Sequence, residues 1–175
     1  EVKNLINLWL AEKGVENPEG TIFAIGRDAG IPHSVGTAGD ALKLGQTIVY
    51  DIYPCEAGGG YFYDFTRTWS LGYAKDEVQQ LYDQVKQVYD TVYSELKVNA
   101  PFYKYQERTC ELFEAMGHPS IKTDPTVEQG YVHSLGHGIG LRVHEKPWSS
   151  AINPSPTDIL APGSAFTLEP GLYYP

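Results

Sequence analysis

Two cysteines in 175 residues, Cys55 and Cys110, supply neither a disulfide framework nor the paired spacing of a structural zinc site. Their scarcity fits a reducing, cytoplasmic compartment. No run of about 18 apolar residues is present, which excludes a membrane-spanning helix. No leader peptide is visible, but Glu1 is not a natural start, and the chain reads as a piece of something longer. No basic run of five or more residues occurs and the net charge is −9, so nucleic acid is excluded as a partner. There is no internal repeat and no low-complexity tract. The acidity serves solubility, apart from a few carboxylates that a metal could hold.

What is present is globular: 42% hydrophobic and 20% charged residues, enough for one domain with a sizeable core over 1–175. Thirteen tyrosines suit half-buried strands and a substrate cleft. Helical periodicity marks residues 1–14, closed by Gly14, and 75–97, the clearest helix. The second carries an apolar stripe from Val78 to Leu96 that includes Tyr82, Tyr89 and Tyr93, and its tyrosines read as core. A further helix is expected over 103–116, ended by Gly117. Strands are predicted at 21–26, 46–54, 61–72 and 165–175, with AGGG (57–60) connecting a hairpin. Residues 27–45 form a long irregular loop, a feature more often functional than idle.

The segment YVHSLGHGIGLRVHEKP (131–147) holds three of the five histidines, His133, His137 and His144, threaded through Gly136, Gly138 and Gly140. So many glycines argue against a helix. In an extended strand, His133 and His137 share a face, and the glycines allow close backbone approach. The expectation is a strand carrying two imidazoles inward, then a bend, then His144. The alternative is a set of core or surface histidines in a glycine-rich loop.

Carboxylates sit where burial would be costly without a cation or donors. Asp51 lies within the apolar TIVYDIYP, and Asp64 lies on the returning strand. Pairing would bring them to one end of the sheet, where they repel unless protonated or cation-bound. Arg67 is the competing structural partner for Asp64. Glu169, in FTLEPG, is the third such acid, with a solvent-facing strand end as its alternative. Oxygen-rich donors with one imidazole suit manganese, iron or cobalt better than a structural zinc. Several bridging carboxylates suggest a two-metal site and hydrolysis of an amide or ester.

The blocks IPHSVG (31–36), VYDIYP with DFTRTW (49–54 and 64–69), HSLGHGIGLRVHEKP (133–147) and FTLEPGLYYP (166–175) resemble, in order, the pita-bread metallopeptidases. That group includes methionine aminopeptidase, aminopeptidase P and prolidase. The resemblance implies an α+β pita-bread fold, with a curved antiparallel sheet, covering helices and the site in the concavity. It implies Asp51, Asp64, His137 and Glu169 as metal ligands, Glu169 also handling protons. His33 then lies on the substrate side, His144 contacts the scissile peptide, and His133 matches the proline-specific members. The implied reaction is Xaa-Pro hydrolysis by a metal-bridging hydroxide. The implied cofactor is a pair of divalent ions, manganese first, with cobalt, iron or zinc as alternatives. The implied partners are a peptide with proline at its second position and, by analogy, a second subunit, with no membrane.

Three departures accompany the resemblance. A last metal glutamate is expected beyond Pro175, so these residues alone would bind metal poorly and be inactive. The family's first helix and N-terminal domain are expected before residue 1. Asp51 and Asp64 are thirteen apart, a longer hairpin than usual, which the glycines at 58–60 can absorb. Two other readings stay open: a non-peptidase of the same fold, creatinase-like or a binding scaffold, and a methionine aminopeptidase. Retained metal positions weigh against the first and His133 against the second.

Overall fold

The hairpin predicted from alternating strands organises the first part of the chain. The computed structural model describes all residues, 1–175, as two compact units, one of 1–74 with 139–144 and the other of 75–138 with 145–175.

In the first unit, α1 (Val2–Glu12) ends before Gly14, whose φ of 69° suits a residue without a side chain. Its apolar stripe is less covered than its periodicity suggests: Leu10 is buried, while Leu5, Leu8 and Trp9 are exposed. After the short β1 (Val15–Glu16), β2 (Thr21–Ile25), β3 (Thr47–Ile52) and β5 (Phe65–Ser70) form an antiparallel sheet in the order β2-β3-β5. Between the last two, β4 (Cys55–Glu56) pairs with β1. The predicted hairpin is present. Its register runs from Thr47 opposite Ser70 to Cys55 opposite Phe62, with Gly58 and Gly59 at positive φ in the turn. In the loop 27–45, a 3-10 turn (Gly26–Gly30) is the only regular element.

In the second unit, α2 (Asp76–Glu95) and α3 (Tyr103–Ala115) pack around Val88, Val92, Phe102, Phe113, Tyr131 and Leu135. The tyrosine stripe of α2 requires a correction. Tyr82, Tyr89 and Tyr93 are exposed, at 48, 39 and 63%. The aliphatic positions face the core, and the tyrosines occupy its flank, where an amphipathic ring can keep its hydroxyl wet.

The histidine strand is also shorter than expected. Only β6 (His137–Gly138) is regular, paired with β7 (Glu145–Trp148). Likewise 165–175 is extended without being a regular strand. It runs antiparallel to 130–138, with bonds from Thr167 N–H to His137 C=O and from Glu169 N–H to Leu135 C=O, both 2.8 Å. The ladder is broken because side chains replace backbone partners: His137 N–H donates to the Thr167 hydroxyl at 3.0 Å, and Leu135 N–H to the Gln106 side chain. No helix is long and apolar enough to cross a membrane.

Candidate active site

In the first unit the hairpin register decides which side chains share a face. Asp51 is directly opposite Thr66, and Asp64 immediately precedes β5, two residues from Thr66 in a segment that keeps the hairpin register through to Cys55 opposite Phe62. Period-two alternation therefore places Asp51, Tyr53, Asp64 and Thr66 on one face. The two carboxylates are diagonal neighbours at one end of the sheet, as the sequence suggested. Diagonal pairs of this kind lie roughly 7–8 Å apart. Arg67 belongs to the other face. Its guanidinium sits 4.0 Å over the Phe65 ring and donates to Thr66 C=O at 2.7 Å, so the proposed Arg67–Asp64 partnership is not formed.

Asp51 is held at both oxygens. The Thr66 hydroxyl donates to Oδ1 at 2.7 Å, and the Tyr53 hydroxyl donates to Oδ2. Neutral donors orient a carboxylate without cancelling its charge, which leaves it competent toward a cation. His33 and His144 also belong to this unit, and both are exposed. His33 has a φ of 58°, unusual for a residue with a side chain. Next to it, the loop lies so close to β2 that a Cβ on Gly36 would be 2.3 Å from Phe23 C=O.

In the second unit His137 and Glu169 are brought together. His137 is buried, and its Nε2 lies 3.3 Å from Glu169 Oε1. Its Nδ1 is 3.0 Å from Gly138 C=O. A carbonyl only accepts, so Nδ1 carries a proton; Nε2 faces the Glu169 carboxylate, donates to it while the ring is protonated, and presents the lone pair with which imidazole binds metal once that proton is released. Thr167 completes the group: its hydroxyl accepts His137 N–H and donates to Glu169 Oε1 at 2.5 Å. Burial opposes the charge on Glu169. The hydrogen bonds from His137 and Thr167 and the nearby imidazoles outweigh it, holding the carboxyl below the usual glutamate range. A charged carboxylate beside an oriented imidazole fits a divalent cation of borderline hardness.

His133 stands between two aromatic rings, its centroid 5.6 Å from Tyr131 and 5.3 Å from Tyr173. Its Nδ1 donates to Ser134 C=O at 2.7 Å. The absence of a side chain at Gly171 leaves room for its Nε2 edge, since a Cβ there would be 3.3 Å away.

Sequence reasoning missed Tyr53, Thr66 and Thr167. The signal was available: D-x-Y, D-x-T and T-x-E each place a hydroxyl two residues from a carboxylate, hence on its face in a strand. Gln106 was missed for a different reason, because nothing in α3 marks which of its polar residues turns inward.

Comparison with known proteins gives these groups a context. A Mycobacterium tuberculosis protein named probable dipeptidase PepE is 33% identical over 144 residues, covering 82% of this chain and 35% of that protein. The Xaa-Pro dipeptidase of Pyrococcus furiosus is 27% identical over 100% of this chain and 46% of its own length. The solved X-Pro aminopeptidase from Thermotoga maritima superposes with a TM-score of 0.83 at 28% identity, covering 99% of this chain and 45% of that one. The chain thus spans about a third to a half of the length of these relatives. The α+β pita-bread fold expected from the sequence is the one observed. The profile of one peptidase family runs through every block from residue 1 to 175, beyond the reach of any single motif, and the chain belongs to metallopeptidase family M24.

Proposed function

We propose that the protein containing this chain is a metal-dependent exopeptidase that hydrolyses the bond preceding proline. The observation that carries the reading is His133, four residues before His137, held between Tyr131 and Tyr173 with its Nδ1 committed to Ser134 C=O. In its doubly protonated form an imidazole so fixed can donate from Nε2 to a carbonyl or carboxylate on the proline side of a substrate. Relatives named Xaa-Pro dipeptidase and X-Pro aminopeptidase support the same reading.

In this reading Asp51 and Asp64 act with His137 and Glu169 as ligands of two divalent ions within one catalytic domain, with manganese the first choice. When bound, such ions activate water at neutral pH and polarise the scissile carbonyl. The chain's own residues do the rest. His33 holds the substrate from its side of the site. His144 donates a hydrogen bond to the carbonyl oxygen as it becomes an oxyanion. Glu169 takes the proton of the attacking water and passes it to the departing proline nitrogen.

The test is hydrolysis of Ala-Pro, Ala-Pro-Ala and a Met-Gly-X peptide with added manganese, using the longest natural form of the protein. Cleavage of the proline peptides, abolished by chelator, is the expected result, and the preferred length names the subtype. Cleavage of Met-Gly-X alone would replace the reading with a methionine aminopeptidase. No cleavage by metal-loaded protein would move it to a non-peptidase.

Thr66→Val provides a finer check on the ligand set. Valine preserves shape and strand propensity but removes the hydroxyl on Asp51 Oδ1. Manganese affinity is expected to fall by roughly 10–100-fold, as for other partners that orient a ligand, with the protein still folded. Calorimetric titration reads it directly, and unchanged affinity would remove Asp51 from the ligand set.

A further inference from the structure

The partners that interrupt the histidine strand include one that belongs to no recognised block. Gln106, in the first turn of α3, has no solvent exposure. A buried amide needs its donors and acceptor satisfied, and this one meets main-chain groups on either side of Ser134. Its Nε2 donates to His133 C=O at 3.4 Å, and its Oε1 accepts Leu135 N–H and, at 3.3 Å, the Tyr131 hydroxyl.

The placement coincides with an irregularity. Leu135 bonds Glu169, and Gly130 bonds Tyr173. From 130 to 135 there are five steps, but from 169 to 173 only four, so the histidine side carries one residue more. Such a bulge leaves backbone groups without a ladder partner and re-aims the side chains beside it. Gln106 occupies that gap: it takes the His133 carbonyl and the Leu135 amide. Leu135 in turn gives its carbonyl to Glu169 N–H at 2.8 Å. One side chain is thereby joined through main-chain bonds to both flanks of the His133–Glu169 region.

We infer that Gln106 is a positioning residue for the histidine segment: its amide substitutes for a strand partner at the bulge and fixes His133 and His137 relative to Glu169. The relevance to catalysis rests on the exopeptidase reading above, whereas the positioning itself does not. Gln106 touches no substrate, so its effect passes through the backbone. Without it, the His133 carbonyl and the Leu135 amide lose the bonds that Gln106 makes to them and the bulge is free to relax. The contacts from each Nδ1 to the following carbonyl, which set the two tautomers, are then no longer enforced.

The experiment compares Gln106→Met, of similar length but without the amide, with Tyr131→Phe, which removes only the outer partner of Oε1. Both are made in the longest natural form. Imidazole 15N resonances of the metal-free proteins report the tautomers of His133 and His137, and manganese titration reports affinity. For Gln106→Met the expected result is mixed tautomers at both histidines and manganese binding weakened by roughly 10–100-fold in a protein that retains its helical circular dichroism. Tyr131→Phe is expected to keep both readouts. Should the methionine variant not fold, Gln106→Asn keeps an amide one methylene too short to reach both backbone groups and is expected to shift the same signals. Wild-type tautomers and metal affinity in the folded variant would overturn the inference. Equal losses in Tyr131→Phe would also overturn it, because general disturbance of the core would then explain them. If the wild-type protein cleaves no proline peptide, the exopeptidase reading fails, while the tautomer and manganese comparison still decides the role of Gln106.

Discussion

Asp64→Ala is expected to abolish manganese binding and peptide hydrolysis together, lowering kcat/KM by at least about 10³-fold, or roughly 4 kcal/mol of transition-state stabilisation. The argument starts from the sheet register. Asp64 shares its face with Asp51, while Arg67 lies on the opposite face over Phe65. A carboxylate paired with Arg67 would be a structural ion pair whose loss costs stability and leaves metal binding intact. A carboxylate on the Asp51 face is a donor that no other side chain of the hairpin replaces. The two possibilities separate cleanly with a second variant. Arg67→Ala should retain manganese affinity and activity, because its lost contacts are a ring face and the Thr66 carbonyl. Calorimetry on metal-stripped protein, followed by Ala-Pro hydrolysis, measures both. An Asp64→Ala protein that binds manganese and turns over would sink the ligand assignment and with it the proposed reaction.

The sequence announced the parts of the molecule governed by local periodicity. The helices at 2–12, 76–95 and 103–115 and the Asp51–Asp64 hairpin follow from patterns of 3.6 and 2 residues. What escaped was decided by tertiary competition for backbone hydrogen bonds. His133 and His137 sit in a segment whose amides go to Gln106 and Thr167 side chains, and no single-segment pattern foretells that choice. The exposed tyrosines of α2 escaped for a related reason. Periodicity identifies an apolar face but not how much of its width a neighbour covers, and here Val88 and Val92 were covered and Tyr93 was not. The site was legible as residue types. It was not legible as the hydroxyls that orient them, although Tyr53 and Thr167 each lie two residues from the carboxylate they bond, while Thr66 reaches Asp51 across the hairpin.

The second large effect concerns Gly136. It requires no positive φ, so the reason for glycine is space alone. A Cβ built there would lie 2.1 Å from Thr167 C=O and 2.9 Å from Thr167 Oγ1. Backbone oxygen cannot swing aside like the end of a long side chain. Gly136→Ala must therefore push the 166–169 segment away from the histidine segment or twist Gly136 out of its bonds with Ser149, at 2.7 and 2.8 Å. Either movement opens the 3.3 Å approach of His137 to Glu169. The expected cost is about 3 kcal/mol or more of stability, at the upper end of overpacking effects, together with loss of manganese binding. Gly163→Ala supplies the contrast. Its φ of 83° strains any side chain, but nothing lies within 4 Å of the new methyl group. It should cost about 1–2 kcal/mol and leave metal binding unchanged. Urea denaturation and manganese titration of the two variants distinguish strain from crowding. If Gly136→Ala matched the wild type in both, the two segments could not be packed as closely as the His137–Thr167–Glu169 cluster requires. The imidazole and the carboxylate would then have to be brought together by something other than their shared backbone ladder.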